Sequence, residues 1–233
     1  MPYDAVYEQK KAASQKALPF IHNDMILGLG TGSTIDIFLD LLSEHITNNQ
    51  LNISAVTTSH RTRQKALDLG MNILPMNRVT KTDLCIDGTD EFDDGFNLIK
   101  GGGGALLCEK IIAQSAKKMI IITDESKYSQ RFGRFSLPVE IVDFEIGITL
   151  ALLDTVHTKH AKHRMNAGIR KTAKGDDFRT DMNNLIVDID FKDIHNPTEL
   201  SHDLHQIASV VEHGLFLNYA SVILTDKREL YKV

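Results

Sequence analysis

The sequence predicts an α/β protein, with a doubly wound, mostly parallel sheet domain and a second, smaller α+β domain. In the first half, apolar runs with strand character alternate with amphipathic stretches, which is typical of βαβ units around a parallel sheet. After about residue 131 the alternation changes, and an apolar run over 221–224 returns near the end. We therefore predict a Rossmann-like domain over 1–132 plus 218–233 and a small α+β domain over 133–217.

The individual elements follow from hydrophobic periodicity and from the positions of glycine and proline. In the first part, helices are expected over 4–20, 33–44, 60–69 and 105–114, and strands over 25–29, 53–57, 72–74, 83–86 and 119–123. In the second part, we expect a strand over 139–142 bounded by Pro138, a helix over 146–157, a hairpin within 165–180, a strand over 185–190, a helix over 197–208 and an extended segment over 214–217.

Composition narrows the classes of function. The 233 residues are 42% apolar and 24% charged, with a formal net charge of −5, which argues against a nucleic-acid-binding protein. Two cysteines, Cys85 and Cys108, are too few for a disulfide framework and predict reduced thiols. Residues 1–16 are polar and helix-like rather than a signal region, and no apolar run approaches the length of a membrane span. The expected location is the cytoplasm.

A glycine-rich loop, GLGTGST (28–34), joins the first strand to a helix. Glycines let the backbone approach an anion, the hydroxyls of Thr31, Ser33 and Thr34 add donors, and the helix contributes its N-terminal N–H groups. This pattern predicts a phosphate cradle. The alternative is a tight structural turn in which Ser33 is an ordinary N-cap.

Nucleotide motifs fit this loop poorly. A dinucleotide fingerprint counted from Gly28 needs glycine at 33, where serine stands, and no acidic residue ends the second strand. A P-loop needs Gly-Lys-Ser/Thr, which does not follow. We therefore expect neither NAD nor ATP.

A second group of polar residues lies between 87 and 109. Asp87 and Asp90 follow a strand, Lys100 opens a run of four glycines, and Glu109 lies about one turn into the next helix. A glutamate can move a proton between adjacent carbons, while lysine and main-chain N–H groups can stabilise an enediolate oxygen. The alternative, a solvated acidic loop with a flexible linker, does not explain four glycines leading directly into an apolar helix.

These segments resemble a known family. The runs GLGTGST (28–34), DGTDEFDDGFNLIKGGGGALLCEKI (87–111), ITDESK (122–127) and LPVEIV (137–142) are similar, in order and spacing, to ribose-5-phosphate isomerase of the A type. The resemblance is strong through residue 142 and looser over about 143–210. Thr89 stands where alanine is common in the family, and Cys108 where an arginine often precedes the base.

The resemblance implies an aldose–ketose isomerase of the non-oxidative pentose phosphate pathway that converts ribose 5-phosphate to ribulose 5-phosphate through an enediolate. It implies no cofactor or metal, and a homodimer or homotetramer. Glu109 matches the general base, and Asp87, Asp90 and Lys100 are the other expected catalytic residues. The residues expected to bind substrate are Thr31, Gly32, Ser33, Thr34, Asp87, Gly88, Thr89, Asp90, Lys100, Gly101, Gly102, Gly103 and Lys127.

Several other residues suggest chemistry that we do not expect. The spacing of His157, His160 and His163, and of His202 and His205, allows metal chelation on a helix, but no acidic or cysteine set completes a site in the sequence. We expect solvated helical faces instead. Cys108 is expected to be a packed or partly buried thiol, and Lys10 and Lys11 are weaker candidates for contact with a phosphate.

Two other functions remain as alternatives. A non-catalytic sugar-phosphate sensor would need a DNA-binding module, for which the sequence shows neither a basic recognition helix nor spare length. A coenzyme A-transferase-like acyl transfer enzyme would use a glutamate nucleophile, but would leave the paired aspartates, Lys100 and the TGST loop unexplained. Conversion of ribose 5-phosphate without added cofactor discriminates among the three.

Overall fold

The computed structural model describes residues 2–232. Its helices, in chain order, are α1 (Pro2–Ala17), α2 (Ser33–Asn49), α3 (His60–Asp68), α4 (Leu106–Ser115), α5 (Ile146–His160) and α6 (Pro197–His205). Its strands are β1 (Ile26–Leu29), β2 (Ser54–Thr57), β3 (Leu84–Asp87), β4 (Glu91–Phe92), β5 (Leu98–Ile99), β6 (Met119–Ile122), β7 (Leu137–Ile141), β8 (Asn166–Ile169), β9 (Leu185–Asp190), β10 (Val210–His213), β11 (Leu215–Phe216), β12 (Val222–Leu224) and β13 (Glu229–Tyr231).

The chain divides into two compact units. The first contains residues 1–89, 108–127 and 218–233, and the second contains residues 90–107 and 128–217. The α/β class with a second α+β part is therefore confirmed. The domain boundaries proposed from the sequence, which gave 90–107 and 128–132 to the first domain, stay a prediction.

The first unit is built on a six-stranded sheet in the order β13-β12-β6-β3-β1-β2. All neighbouring strands from β12 to β2 are parallel, and β13 pairs antiparallel with β12. The central strands β3 and β6 are buried at every position, as expected for parallel strands covered on both faces. The expected return of the chain to this sheet near its end is confirmed by β12.

This sheet has a topological switch point between β1 and β3. The chain passes from β1 to β2 on one side, and then places β3, β6 and β12 on the other side. In open α/β sheets, ligands bind at the carboxyl ends of the strands where the winding direction changes. The loops after β1 and β3 are therefore the expected ligand-binding loops of this unit.

An apolar core packs α1, α2 and α3 on this sheet. Its members are buried side chains from α1, α2 and α3 and from the parallel strands, among them Phe38, Leu42, Ala66, Ile86 and Ile120. The α2 face that packs inward repeats with helical spacing at Ile35, Phe38, Leu39 and Leu42. No helix among residues 2–232 is long and apolar enough to cross a membrane.

The second unit contains two antiparallel sheets, in the orders β10-β7-β9-β8 and β11-β5-β4. Its apolar core joins β7 and β9 to α5 and α6 through residues such as Leu153, Val187 and Leu204. Inside 165–180, where a hairpin was expected, an antiparallel bridge pairs Lys171 with Asp177, whereas β8 pairs with β9, outside that segment.

Two strand expectations need correction. Pro138 does not bound β7 but lies inside it, opposite Asp188 of β9. Its carbonyl accepts from Gly214 N–H at 2.8 Å, and the missing N–H leaves no carbonyl without a donor there, because Gly214 O accepts from Lys100 N–H at 2.9 Å. The strand expected over 72–74 is reduced to an isolated bridge between Ala55 and Ile73.

A buried carboxylate lies in the second unit. Glu140 of β7 is 1% exposed, and its Oε1 accepts hydrogen bonds from Thr180 Oγ1 and Asn184 Nδ2, both at 2.9 Å. Burial raises the pKa of Glu140 above its ordinary value, the bonds from Asn184 and Thr180 oppose the rise, and the facing Glu212 adds to it.

A carboxyl with a raised pKa makes the fold less stable as pH rises, because the unfolded chain releases the proton at a lower pH than the fold does. The loss begins near the unfolded pKa of about 4.3 and continues until pH exceeds the folded pKa. The glutamine of Glu140→Gln cannot ionise. The Tm of this variant minus the Tm of the wild type should therefore increase as pH rises from 4 to 8. The measurement is a series of thermal melts, with the exposed Glu145→Gln as the control. A difference in Tm that stays constant with pH would contradict this assignment.

Candidate active site

The loop after β1 forms a helix N-terminus without a side-chain cap. Gly32 occupies the N-cap position with φ of 125° and ψ of 174°, a conformation that favours glycine, and its carbonyl accepts from Asp36 N–H at 2.9 Å. Ser33 is therefore the first helical residue, and the alternative that it is an ordinary N-cap is wrong. Its hydroxyl is exposed and accepts a hydrogen bond of 2.8 Å from Lys10 Nζ.

Thr31 lies in a cluster of hydroxyl groups. Its Oγ1 is 2.7 Å from Thr58 Oγ1, 2.8 Å from Ser59 Oγ and 3.1 Å from Thr62 Oγ1. Thr62 also donates to the carbonyl of Gly30 at 2.9 Å. These bonds connect the loop after β1 to the segment after β2, and so hold the backbone of the loop in one conformation.

Asp87, the last residue of β3, is fully buried against the same loop. Its Oδ1 accepts from the N–H of Thr31 at 3.2 Å and from the N–H of Gly88 at 2.8 Å. Gly30 is required here, because a Cβ at that position would lie 1.9 Å from Asp87 Oδ1. The structure therefore brings Asp87, Gly88 and the loop of Thr31–Thr34 together at the switch point.

Glu109 lies in the first turn of α4 and is 3% exposed. Helix α4 packs closely on β1, since a Cβ on Gly28 would lie 2.4 Å from the Ile112 side chain. Gly28 thus serves the packing of the helix that carries Glu109. Cys108, the preceding residue, is half-buried, as expected.

Lys127 lies at the same carboxyl edge as the loops after β1 and β3. It ends the 3₁₀ turn Glu125–Lys127 that follows β6. Its N–H donates to the carbonyl of Asp124 at 3.1 Å, and the residue is half-buried. The sheet order puts this turn one strand away from Asp87.

The other expected residues belong to the second unit. Asp90 and Lys100 flank the hairpin of β4 and β5, whose register pairs Glu91 with Ile99, so the two residues face each other at its open end. Asp90 N–H donates to Ile99 O at 2.8 Å, and Lys100 N–H donates to Gly214 O at 2.9 Å. Lys100 is 3% exposed, and its Nζ lies 5.5 Å from the centre of the Phe216 ring.

The glycine run after Lys100 forms a tight turn. Gly104 N–H donates to Gly101 O at 3.0 Å, and Gly102 N–H donates to Asp90 Oδ2 at 2.8 Å. Gly101 and Gly104 have φ of 107° and 78°, values that favour glycine. A Cβ on Gly104 would also lie 2.4 Å from the Phe178 ring.

The expected residues thus form one group in each unit. The first unit holds Asp87, Gly88, Thr89, Glu109, Lys127 and Thr31–Thr34, and the second holds Asp90, Lys100 and Gly101–Gly103. Asp87 accepts from the loop after β1, whereas Asp90 accepts from the glycine run. That the two aspartates and Lys100 act as one electrostatic unit stays a prediction.

The expectation of solvated histidines on helical faces is wrong for His157. This side chain is fully buried, packs edge-on against His163 with ring centres 4.9 Å apart, and has its pKa lowered chiefly by burial. His163 lies beyond the end of α5, and its Nε2 is 3.0 Å from the Asp190 carbonyl. In contrast, His202 and His205 are exposed on α6, as expected.

The expectation is also wrong for His160, whose side chain is 9% exposed and lies beside acidic residues that the sequence did not indicate. His160 Nε2 lies 2.6 Å from Asp203 Oδ2, and Glu199 completes a set of three possible metal ligands. However, Lys159 Nζ is 2.7 Å from Asp203 Oδ2 and 2.9 Å from Glu199 Oε1. The lysine already supplies the positive charge that a metal would bring, so we interpret this cluster as an ion-pair network joining α5 to α6.

Arg170 is among the residues that contact the predicted site and that sequence analysis missed. Arg170 follows β8 and donates from Nη1 to the carbonyls of Gly101, at 2.7 Å, and Gly102, at 3.2 Å. It also pairs with Asp188 of β9. The sequence does place an arginine at the end of one strand and an aspartate diagonally opposite on the next, which could have suggested the ion pair. It gives no indication of the contact with the glycine run, which lies far away in the sequence.

We expect Gly30→Ala to destabilise the fold. The added methyl group must displace the Asp87 carboxylate and break its bonds to Thr31 and Gly88, at a cost of about 1–3 kcal/mol. For a chain of this size, Tm should fall by roughly 2–4 °C per kcal/mol. Gly147→Ala is the control, because its Cβ would meet no atom within 4 Å. Equal melting temperatures of Gly30→Ala and wild type would contradict the packing described above.

Comparison with known proteins identifies relatives. The profile of the family described as Ribose 5-phosphate isomerase A (phosphoriboisomerase A) matches residues 54–229. A protein named ribose-5-phosphate isomerase A from Bifidobacterium adolescentis is 42% identical over 215 residues, which cover 92% of this chain and 90% of its own. Its namesake from Streptococcus thermophilus is 38% identical over 226 residues, or 97% of each chain.

Solved structures agree with this assignment. A ribose 5-phosphate isomerase from Plasmodium falciparum aligns with a TM-score of 0.88 at 32% identity, over 97% of this chain and 99% of its own. A D-ribose-5-phosphate isomerase in complex with phospho-erythronic acid aligns with a TM-score of 0.89 at 31% identity, with the same coverage. Because profile, sequence and structure agree over most of its length, the chain belongs to the ribose 5-phosphate isomerase A family.

Proposed function

We propose that this enzyme interconverts ribose 5-phosphate and ribulose 5-phosphate by moving a proton between C1 and C2 through an enediolate. The family membership sets the reaction. The observation that supports it best in the structure is Glu109, a carboxylate buried in the first turn of α4, in the same unit as the glycine and hydroxyl loop at the switch point.

Glu109 is the general base in this proposal. It removes the proton from C2 of the open-chain aldose and returns it to C1, while a second proton leaves the C2 hydroxyl and another is added to the C1 oxygen. The negative charge that develops on the enediolate oxygen needs donors that are already in place. Lys100 and the glycine run Gly101–Gly103 are proposed to supply them, with the Gly102 N–H donating to Asp90 and so holding the run in place.

The phosphate is proposed to bind at the loop of Thr31–Thr34. The N-terminus of α2 presents N–H groups and the positive end of its dipole, which favour an anion. Lys10 adds a positive charge at Ser33, with Nζ 2.8 Å from the hydroxyl. Lys127 is proposed to add a second charge from the turn after β6.

Asp87 and Asp90 are proposed to handle hydroxyl protons. One of them exchanges the proton of the hydroxyl at C1 or C2 and assists ring opening, while Lys100 offsets their charge. The different partners of the two carboxylates support different roles. Asp87 accepts from the N–H of Thr31 in the phosphate loop and from that of Gly88, whereas Asp90 accepts from the glycine run.

Phospho-erythronic acid, bound in a structural neighbour, fits this chemistry. It is a four-carbon acid phosphate, and its carboxylate resembles the planar, negatively charged enediolate of a five-carbon sugar phosphate. An enzyme that stabilises an enediolate is expected to bind such an analogue more tightly than its substrate.

We also propose that the enzyme acts in the cytoplasm as a homodimer or homotetramer. Two free cysteines support a reducing compartment. Phe144, Ile148 and Leu152 repeat at four-residue spacing on and before α5 and are 73%, 62% and 44% exposed. An exposed apolar row of this kind supports association with another copy of the chain.

Purified protein should convert ribose 5-phosphate to ribulose 5-phosphate with EDTA present and no cofactor added. Glu109→Gln keeps the shape of the side chain and removes its basicity, so kcat should fall by about 10²–10⁴ with little change in KM. The measurement is a steady-state assay of both proteins. An inactive wild type would contradict the proposed function, and a Glu109→Gln variant with near-normal kcat would contradict the assignment of the base.

The double variant Ser33→Ala/Thr34→Ala should raise KM more than it lowers kcat, because it removes hydroxyls that bind substrate and transition state alike. The preference for ribose 5-phosphate over ribose, measured as a ratio of kcat/KM, should fall with it. Thr47→Ala is the matched control, since this hydroxyl near the other end of α2 donates to Ser43 O. An unchanged preference for the phosphorylated sugar would contradict the phosphate loop.

A further inference from the structure

Arg170 is held in one orientation by a carboxylate. Its Nε lies 2.8 Å from Asp188 Oδ2 and its Nη2 lies 2.5 Å from Asp188 Oδ1, which is the two-pronged geometry that fixes a guanidinium in a plane. The side chain of Arg170 is 14% exposed. Its third nitrogen, Nη1, is thereby directed at the carbonyls of Gly101 and Gly102.

These two carbonyls control the N–H groups of the glycine run. Each peptide is planar and trans, so the carbonyl of one residue points opposite to the N–H of the next. Fixing Gly101 O therefore fixes the N–H of Gly102, and fixing Gly102 O fixes the N–H of Gly103. Since both carbonyls point at the same guanidinium, both N–H groups point away from it.

The Gly102 N–H confirms this direction. It donates to Asp90 Oδ2 at 2.8 Å, so the peptide between Gly101 and Gly102 is held by Arg170 at one end and by Asp90 at the other. Glycine has the greatest conformational freedom of any residue. The turn bond from Gly104 N–H also holds Gly101 O, and Arg170 adds contacts that hold the carbonyls of Gly101 and Gly102 together.

We propose that Arg170 is a positioning residue for the isomerase reaction: its guanidinium, fixed by Asp188, aims the N–H group of Gly103 at the oxygen that becomes negative in the enediolate, and holds the Gly102 N–H on Asp90. The inference rests on the proposed function. Arg170 does not touch the substrate in this role. It acts through the peptides of the glycine run, and it also strengthens their N–H groups as donors by polarising the carbonyls.

Removing the guanidinium should lower kcat more than it raises KM. Misplaced donors weaken binding of the transition state, whereas phosphate binding at the loop of Thr31–Thr34 is independent of the glycine run. We expect Arg170→Ala to lower kcat by about 10–100-fold. Asp188→Ala should have a smaller effect, and the double variant should be no slower than Arg170→Ala, because Asp188 acts through Arg170.

Arg179→Ala is the matched control. Arg179 belongs to the same segment, pairs with Asp143 at 2.5 Å and donates to the carbonyl of Asn183, so it makes the same kinds of contact away from the glycine run. Its kcat should equal that of the wild type. If Arg170→Ala and Arg179→Ala have comparable Tm values, a loss of kcat in Arg170→Ala alone is due to lost positioning and not to general destabilisation.

Chemical rescue of kcat is a second test, which distinguishes a positioning role of Arg170 from a purely structural one. A cleft of about 410 Å³, lined by Gly102, Arg134, Phe135, Ser136, Arg170 and Asp188, leads to the guanidinium. Guanidinium ion at low millimolar concentration, well below denaturing levels, should enter the space left in Arg170→Ala and restore kcat in a saturable way. It should not restore Glu109→Gln.

All variants are assayed on the intact protein beside the wild type. Failure of the wild type to convert ribose 5-phosphate would overturn the proposed function, whereas an active wild type with unchanged kcat in Arg170→Ala would overturn only the role of Arg170. A kcat loss without any rescue would also overturn it. If Arg170→Ala does not fold, Arg170→Lys replaces it: an ammonium group cannot hold Asp188 and both carbonyls together, so a folded Arg170→Lys with wild-type kcat would overturn the proposal.

Discussion

The contact of Asp87 with the loop after β1 is the constraint on which the first half of the site depends. A buried carboxylate needs hydrogen-bond donors, and here they are the main-chain N–H groups of Thr31 and Gly88. Those bonds are possible only because residue 30 has no side chain. The same contact therefore provides hydrogen bonds to a buried carboxylate and fixes the conformation of the proposed phosphate loop. It also connects the ends of β1 and β3 at the switch point of the sheet.

The path of the chain explains why residues of both units occur within a short stretch of sequence. The chain changes from one unit to the other after Thr89, Leu107, Lys127 and Leu217. The first of these points separates Thr89 from Asp90, the second lies two residues before Glu109, and the third directly follows Lys127. Three of the four changes thus fall at or beside residues that are proposed to take part in the reaction.

The parts of the structure that local sequence determines were predictable. Apolar runs and helical periodicity were sufficient for the parallel sheet and for α2, α4 and α6, because burial of one face dictates those patterns. The position of Glu109 in the first turn of its helix was also predictable, since a glycine run marks where that helix begins. Pro138 misled the prediction of β7, because a proline is tolerated inside a strand where the carbonyl opposite its nitrogen has another donor, here Lys100 N–H, and the sequence does not show where that occurs.

Contacts between distant segments were not predictable. His157 has the same spacing as surface histidines, and only the packing of Phe191 and His163 around α5 makes it a buried residue. Arg170 is separated from Gly101 by 69 positions, and no local pattern encodes that distance. Family resemblance was likewise strongest where motifs are contiguous and weakest over 143–210, the part that contains Arg170.

The glycine run shows why such a distant contact is needed. Glycines allow the positive φ angles at Gly101 and Gly104 and the close approach of the Phe178 ring, but the same freedom makes an isolated run a poor set of donors. A preorganised donor must have its direction fixed before the charge develops, since reorientation during the reaction would consume the stabilisation it offers. Asp90 fixes one peptide from the N–H side, and Arg170 fixes two from the carbonyl side. The glycines therefore supply the shape of the run, and charged side chains around it supply the rigidity that glycine lacks.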